Sequence, residues 1–328
     1  MRDILKNLKV FDIELSKLRS ANFHEDMIKD RERWLGKLSS CLRKDEEFAC
    51  PLCKGTEKVP FLAYKDYPLF ECRNCSLVSP NIDMVKLEEI NYHESELVEE
   101  DIRREIISTF EYRKRTFGPE RLAYFKEILP RFVPKEEYLL DIGCGPGYLL
   151  SFLKDEGISA RGLEVNSLCV EHCKGLELDV SDTDLEQEPN NTYSLITMFD
   201  VLEHLPNPIG FLSTIRKKLK ANGHLLAYTP NIHSLSTHLM GGEHNMIAVF
   251  NHLCFYDKNS LDFLAERSGF TVVNQDFYGL DVLDFLAMKQ STDGCEYHTR
   301  LKEMIAPVQA MVDAQKLSNS MRILFRKT

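Results

Sequence analysis

An α/β fold built on a doubly wound, mostly parallel sheet of seven strands is what this sequence predicts, and three observations carry the prediction. From residue 134 onward short apolar runs alternate with amphipathic helical stretches, the pattern of strands joined by crossover helices. The first of those runs ends in Gly143-Cys144-Gly145-Pro146-Gly147, a turn that leads straight into a helix. Ahead of this region lie two Cys-x-x-Cys pairs, the mark of a small lobe built on a different plan. A length of 328 residues accommodates both parts.

Taken in order, residues 1–45 form a helical arm, with Ile4, Leu5, Leu8, Phe11, Leu15 and Leu18 at near-helical spacing. Its balanced charge suits a packing arm or a homodimer contact. Residues 46–80 hold Cys50-Pro-Leu-Cys53 and Cys72-Arg-Asn-Cys75, separated by an apolar, aromatic stretch (59–64) suited to a hairpin. Two such knuckles predict a tetrahedral four-cysteine zinc site, with no open position for water or substrate and hence a structural role. The other six cysteines (41, 144, 169, 173, 254 and 295) read as small apolar residues. Residues 81–133 form a charged helical linker containing Asn91-Tyr92-His93-Glu94 and the triplet Arg113-Lys114-Arg115, which reads as a solvated helix face.

Residues 134–328 form the main domain. Strands are expected at 138–142, 160–165, near 176–180, at 193–199, 224–229, 270–277 and 320–326. Helices are expected after the glycine turn to Gly157, at about 207–219, and at 257–268, where Gly269 closes the last. A mainly helical insertion fills about 279–317.

Composition narrows the function. The chain is 43% hydrophobic and 28% charged, ordinary for a globular protein, and its net charge of −10 disfavours a nucleic-acid partner. No apolar run reaches the ~20 residues needed to span a bilayer, and the first residues lack a signal-peptide core, so a cytoplasmic enzyme is expected.

A strand, a Gly-x-Gly-x-Gly turn and a helix together form a plausible nucleotide site: the glycines permit a tight turn and close backbone approach, with helix N-terminal N–H groups nearby. Glu164, about 20 residues on, is placed to accept hydrogen bonds from ribose hydroxyls. Spacing alone suits a dinucleotide as well as S-adenosylmethionine. The run Leu139-Leu140-Asp141-Ile142-Gly143-Cys144-Gly145-Pro146-Gly147 resembles the first motif of class I S-adenosylmethionine-dependent methyltransferases, a Rossmann-like fold. Asp200-Val201-Leu202-Glu203-His204-Leu205 and Tyr228-Thr229-Pro230-Asn231 are also similar to that family. The order zinc ribbon, helical linker, methyltransferase domain resembles bacterial methyltransferases of sugar and surface-polysaccharide pathways, including nucleotide-sugar C-methyltransferases.

The resemblance implies that Asp141, Gly143, Gly145 and Gly147 line the methionine and ribose part of the cofactor and that Glu164 takes the ribose hydroxyls. It also implies that Asp182, in preference to Asp179, meets the adenine amine, and that Phe199 and Asp200 sit near the sulfonium. Methyl transfer to a hydroxyl or carbon acid needs a positioned base, for which histidine suits neutral pH. The candidates are His252 and His204. Relatives in the resembled group often carry Glu-His where this chain has Asn251-His252, and Asn251 cannot ionise; Glu243-His244 lies nearby in sequence. Tyr92 resembles an aromatic that caps the substrate pocket. The expected function is methylation of a sugar, nucleotide-linked or in a surface glycan. The alternatives are a quinone-like small-molecule O-methyltransferase, an RNA methyltransferase, and a non-catalytic cofactor-binding partner protein.

Overall fold

The computed structural model describes residues 13–19, 22–44, 47–89, 102–129 and 138–328. Among the described residues ten strands form two sheets. A three-stranded antiparallel sheet is made of β1 (Lys58–Tyr64), β2 (Tyr67–Cys72) and β3 (Val78–Pro80), in that order. The larger sheet contains β4 (Tyr138–Ile142), β5 (Ser159–Leu163), β6 (Val180–Ser181), β7 (Tyr193–Phe199), β8 (Leu219–Pro230), β9 (Phe270–Phe277) and β10 (Ser320–Lys327). Its order is β6-β5-β4-β7-β8-β10-β9, and β10 runs antiparallel to both neighbours while the other pairs are parallel. The order reverses between β4 and β7, which opens a crevice at the carboxyl ends of these strands.

The departures from the sequence expectation have local causes. The third strand, expected near 176–180, shrinks to Val180–Ser181. The helix Ser167–Gly175 closes by bonding Leu176 N–H to the His172 carbonyl and Leu178 N–H to that of Cys173, so these residues serve the helix end. β8 begins five residues before the expected 224. Its partner register jumps from Tyr193↔Leu219 to Leu195↔His224, so Lys220–Gly223 bulges out, with Asn222 at φ 61°. Between β9 and β10 lie the helices Asp281–Asp293, Tyr297–Arg300 and Lys302–Ala314. The buried Asp281 accepts hydrogen bonds from Ser236 N–H (3.0 Å), Ser236 Oγ (2.7 Å) and Asn319 N–H (2.8 Å). Of the six scattered cysteines, five are buried and Cys295 is half-exposed.

One apolar core runs unbroken from Trp34 and Leu38 through Tyr67 and Leu69 to Phe250, Phe255, Ala227 and Ile323. It joins the N-terminal helix Phe23–Leu38, the small sheet and one face of the large sheet. A second core, with Phe125, Leu139, Leu149, Leu195 and Leu324, fills the opposite face beneath the helix Phe110–Ile128. Among the described residues no helix is long and apolar enough to cross a membrane.

Candidate active site

The glycine turn is held from below by β5: Gly143 and Cys144 both donate to the Leu163 carbonyl, at 2.8 and 3.2 Å. Gly143 (φ 67°), Gly145 (φ 54°) and Gly147 (φ 83°) all lie in the left-handed region open to glycine. At Gly143 there is a second reason, because a Cβ would fall 2.4 Å from Val201 Cγ2. Glu164 follows β5 directly. Its Oε2 accepts the Gly145 N–H at 2.7 Å and its Oε1 that of Asn166 at 2.8 Å, and burial raises its pKa against these bonds. The carboxylate is thereby fixed at the lip of the crevice beside the exposed Val165.

Asp141, next to last in β4, is buried and accepts from Thr197 Oγ1 at 2.6 Å; burial pushes its carboxyl up to about 6. Asp200 directly follows β7 in the left-handed conformation (φ 57°), its N–H donating to the Tyr228 carbonyl at 3.0 Å. Water reaches its side chain, yet desolvation lifts the carboxyl to about 6 against the pull of Arg121 and Arg113. Accessibility together with desolvation is what a side chain on the wall of a deep cleft experiences.

Arg121 is the residue that sequence reasoning passed over. It sits on the helix Phe110–Ile128, 8% exposed, with its guanidinium 3.6 Å from the Phe199 ring centre and 4.9 Å from that of Tyr148. Among the described residues it has no hydrogen-bond or ion-pair partner, an unusual state for a buried cation. Only the fold brings this helix over the carboxyl ends of β4 and β7, so no local pattern marked it. The triplet 113–115 is likewise corrected in part: Lys114 pairs with Asp155 and Arg115 with Glu111, as on a solvated face, but Arg113 turns inward, bonds Thr109 Oγ1 at 2.8 Å and faces Asp200. Asp179 is engaged with Arg161 at 2.6 Å, whereas Asp182 is exposed. Tyr92 lies outside the described residues.

The two histidine candidates come together. Their rings meet edge to face, 4.9 Å between centres. His204 Nδ1 lies 2.9 Å from the Asn251 carbonyl and His252 Nδ1 2.8 Å from that of Met246. A carbonyl only accepts, so the His252 proton sits on Nδ1 and Nε2 keeps its lone pair. Burial, helped by His204, drives the His252 pKa well below the usual value. Glu203 adjoins them, and one carboxylate oxygen of Glu203 and one ring nitrogen of each histidine all lie within 4.8 Å of one another. His244 instead packs against Thr237 Oγ1 at 3.1 Å, and its backbone carbonyl accepts from Arg31.

The segment bearing His252 is backed by the small lobe. Phe250 N–H donates to Tyr67 Oη at 3.0 Å, and Val78 and Phe255 exchange both backbone bonds. Within that lobe the four cysteines converge, with Cys50 and Cys75 Sγ 3.6 Å apart and Cys53 and Cys72 Sγ 3.4 Å apart. A tetrahedral zinc with ~2.3 Å bonds to sulfur needs edges of about 3.8 Å, so the donor set fits.

Comparison with known proteins bears on the family of this chain. The profile of the family described as "Methyltransferase domain" matches residues 112–275. The chain is 32% identical over 124 residues to a ubiquinone biosynthesis O-methyltransferase of Photobacterium profundum, covering 35% of this chain and 52% of that protein. It is 31% identical over 123 residues to the Vibrio cholerae protein of the same name, covering 35% and 49%. The chain therefore spans about half the length of these curated relatives. An Archaeoglobus fulgidus structure described as a SAM-dependent methyltransferase aligns with a TM-score of 0.45 at 23% identity, covering 66% of this chain and 99% of that one. With half of its length matched by the family profile, across the crevice and the acidic strand ends that form it, the chain belongs to the methyltransferase-domain family.

Proposed function

We propose that this chain transfers a methyl group from S-adenosylmethionine to an oxygen atom of a small molecule. The carrying observation is the grouping at the carboxyl ends of β4 and β7 of the glycine turn, Glu164, Asp141 and Asp200 with Arg121, which stacks on Phe199 and among the described residues has no hydrogen-bond or ion-pair partner. In this reading Glu164 accepts the ribose hydroxyls and exposed Asp182 faces the adenine. Arg121 meets the methionine carboxylate, while Phe199 and the two aspartates face the cationic end. The turn of Gly143, Gly145 and Gly147 admits the cofactor closely because it carries no side chains. His252 serves as base, since its lone pair is on Nε2, and His204 packs against it.

Oxygen methylation of a quinone-like phenol is favoured over the sugar acceptor because the matched relatives bear a ubiquinone O-methyltransferase name. A sugar or glycan acceptor is the second reading, supported by the order of cysteine lobe, linker and methyltransferase region. Cys50, Cys53, Cys72 and Cys75 hold a structural zinc in this account, which braces the segment bearing His252.

The test is calorimetry with S-adenosylmethionine on metal-analysed protein, followed by methyl-transfer assays on catechols and nucleotide-sugars. Cofactor binding and methylation of a phenolic oxygen are expected. Binding with methylation of a nucleotide-sugar alone moves the assignment to the second reading. A folded, zinc-loaded protein that does not bind the cofactor overturns both.

A further inference from the structure

The base assigned above lacks an acidic neighbour in sequence, because position 251 is asparagine. An imidazolium formed in a half-buried position with no counter-charge is disfavoured. One carboxyl does reach the pair of rings, from a different element. Glu203, in the turn after β7, is 1% exposed and shares the 4.8 Å cluster with His204 and His252. Its Oε2 accepts from Thr229 Oγ1 at 2.9 Å, whereas its Oε1 is buried and has no hydrogen-bond partner among the described residues. A buried carboxyl oxygen without a donor is a costly exception that calls for a role. The backbone adds a clamp: the Glu203 carbonyl accepts both the Leu253 N–H (2.8 Å) and the Cys254 N–H (3.0 Å). The residues immediately after His252 are therefore tied to the very residue whose side chain faces it.

We infer that Glu203 is the positioning acid of the His252 base, supplying from the turn after β7 the negative charge that Asn251 cannot; the inference rests on the methyl-transfer reading. The acceptor hydroxyl gives its proton to His252 Nε2. An electron pair of the acceptor oxygen forms the new C–O bond, and the C–S bond breaks with its pair retained on sulfur. The Glu203 carboxylate faces the resulting imidazolium and offsets its charge, and the imidazolium, half-exposed at His252, later gives the proton to solvent. This is the logic by which a buried carboxylate supports an imidazole base elsewhere, reached here through the fold instead of through sequence adjacency.

The groups facing Glu203 set the sign of the pH dependence. Asp200 and His204 come from its own turn, Thr229 from β8, and His252, Cys254 and Tyr256 from the segment opposite. Burial and then Asp200 raise the Glu203 pKa, while burial and then His204 lower that of His252. The ordinary order of proton affinity between carboxyl and imidazole is thereby compressed, and the two titrate as a pair. The working form has Glu203 ionised, so turnover rises with pH through an apparent pKa above the ordinary carboxylate range.

The experiment combines kinetics with imidazole 15N NMR on the intact, metal-loaded protein and on Glu203→Gln and Glu203→Asp. The glutamine variant is expected to keep cofactor affinity and KM within about twofold and to lose roughly a hundredfold in kcat, together with the low-pH limb. The aspartate variant is expected to recover part of both, and the His252 ring signals are expected to shift in each. A folded Glu203→Gln protein with an unchanged pH limb and unchanged His252 signals overturns the inference. If that variant does not fold, wild type decides: a common titration midpoint for the Glu203 carboxyl and the His252 ring supports it, and independent midpoints overturn it. Stoichiometric broadening of the His252 signals by Mn(II) also overturns it, since a cation then occupies the place given to the proton. The NMR readout needs no turnover, so an enzyme inactive on every acceptor sinks the methyl-transfer reading without obscuring the test of the pair.

Discussion

Single side chains in the crevice make the sharpest predictions, because their charge states are set by burial. Asp141 and Asp200 are each held at about 6. The proposed cofactor brings a sulfonium and an ammonium, which favour the ionised carboxylates and lower both pKa values on binding. Near pH 6 binding must therefore release protons, and affinity must climb as pH rises through that value and level off above it. Calorimetry in buffers of differing ionisation enthalpy reads the released protons directly; none released at pH 6 contradicts the placement. Arg121 offers a separate check. Arg121→Met keeps an apolar contact with Phe199 but removes the charge, and a charged hydrogen bond contributes about 1.5–3 kcal/mol. A loss of roughly ten- to a hundredfold in S-adenosylmethionine affinity is expected. Gly143→Ala forces a Cβ against Val201 at an unfavourable φ and should lower both stability and cofactor affinity. Thermal melts with and without ligand separate the two effects.

At the scale of elements, legibility in the sequence followed the range of the interaction. Strands β4, β7 and β9 were readable to the residue because their apolar runs are bounded by local turn chemistry. The capped helix Lys258–Ser268 was readable for the same reason, with Asp257 bonding Ser260 and Gly269 in the left-handed region. The short β6 was not, because its neighbours are consumed by a helix end. His204 and His252 could be chosen singly, but their meeting depends on the loop after β8 folding back beneath β7. Glu203 stood inside a quoted motif without a role, and Arg121 carried no signal at all. The loop's course is fixed partly by Gly242, where a Cβ would fall 2.2 Å from the Ala63 carbonyl oxygen of β1. Gly242→Ala is thus expected to cost about 1–3 kcal/mol and to lower kcat through displacement of His252, with cofactor affinity unchanged. Equal loss of affinity would show that the loop and the cofactor crevice are not independent.

For the whole molecule, the shared core decides how the cysteine lobe matters. Tyr67, Leu69, Phe250 and Phe255 belong to one apolar cluster with Ala227 and Ile323 of the large sheet, so the two sheets are not separable bodies. Cys72→Ser, or removal of zinc by a strong chelator, is expected to lower the melting temperature of the entire chain and to abolish methyl transfer. Calorimetry should record one transition in the loaded protein; two independent transitions would contradict a continuous core.

The place of β10 has a consequence for how the chain reaches this state. It lies between β8 and β9 and pairs with both, yet it follows both of them along the chain. Until residue 327 has left the ribosome, β8 and β9 each present an open row of amide and carbonyl groups with no strand between them. Exposed edges of this kind invite pairing with other chains. A nascent chain stalled after the insertion should therefore be a client for chaperones. The half-sheet of β4 to β8 is already long enough to collapse around its helices, but it waits for its antiparallel keystone.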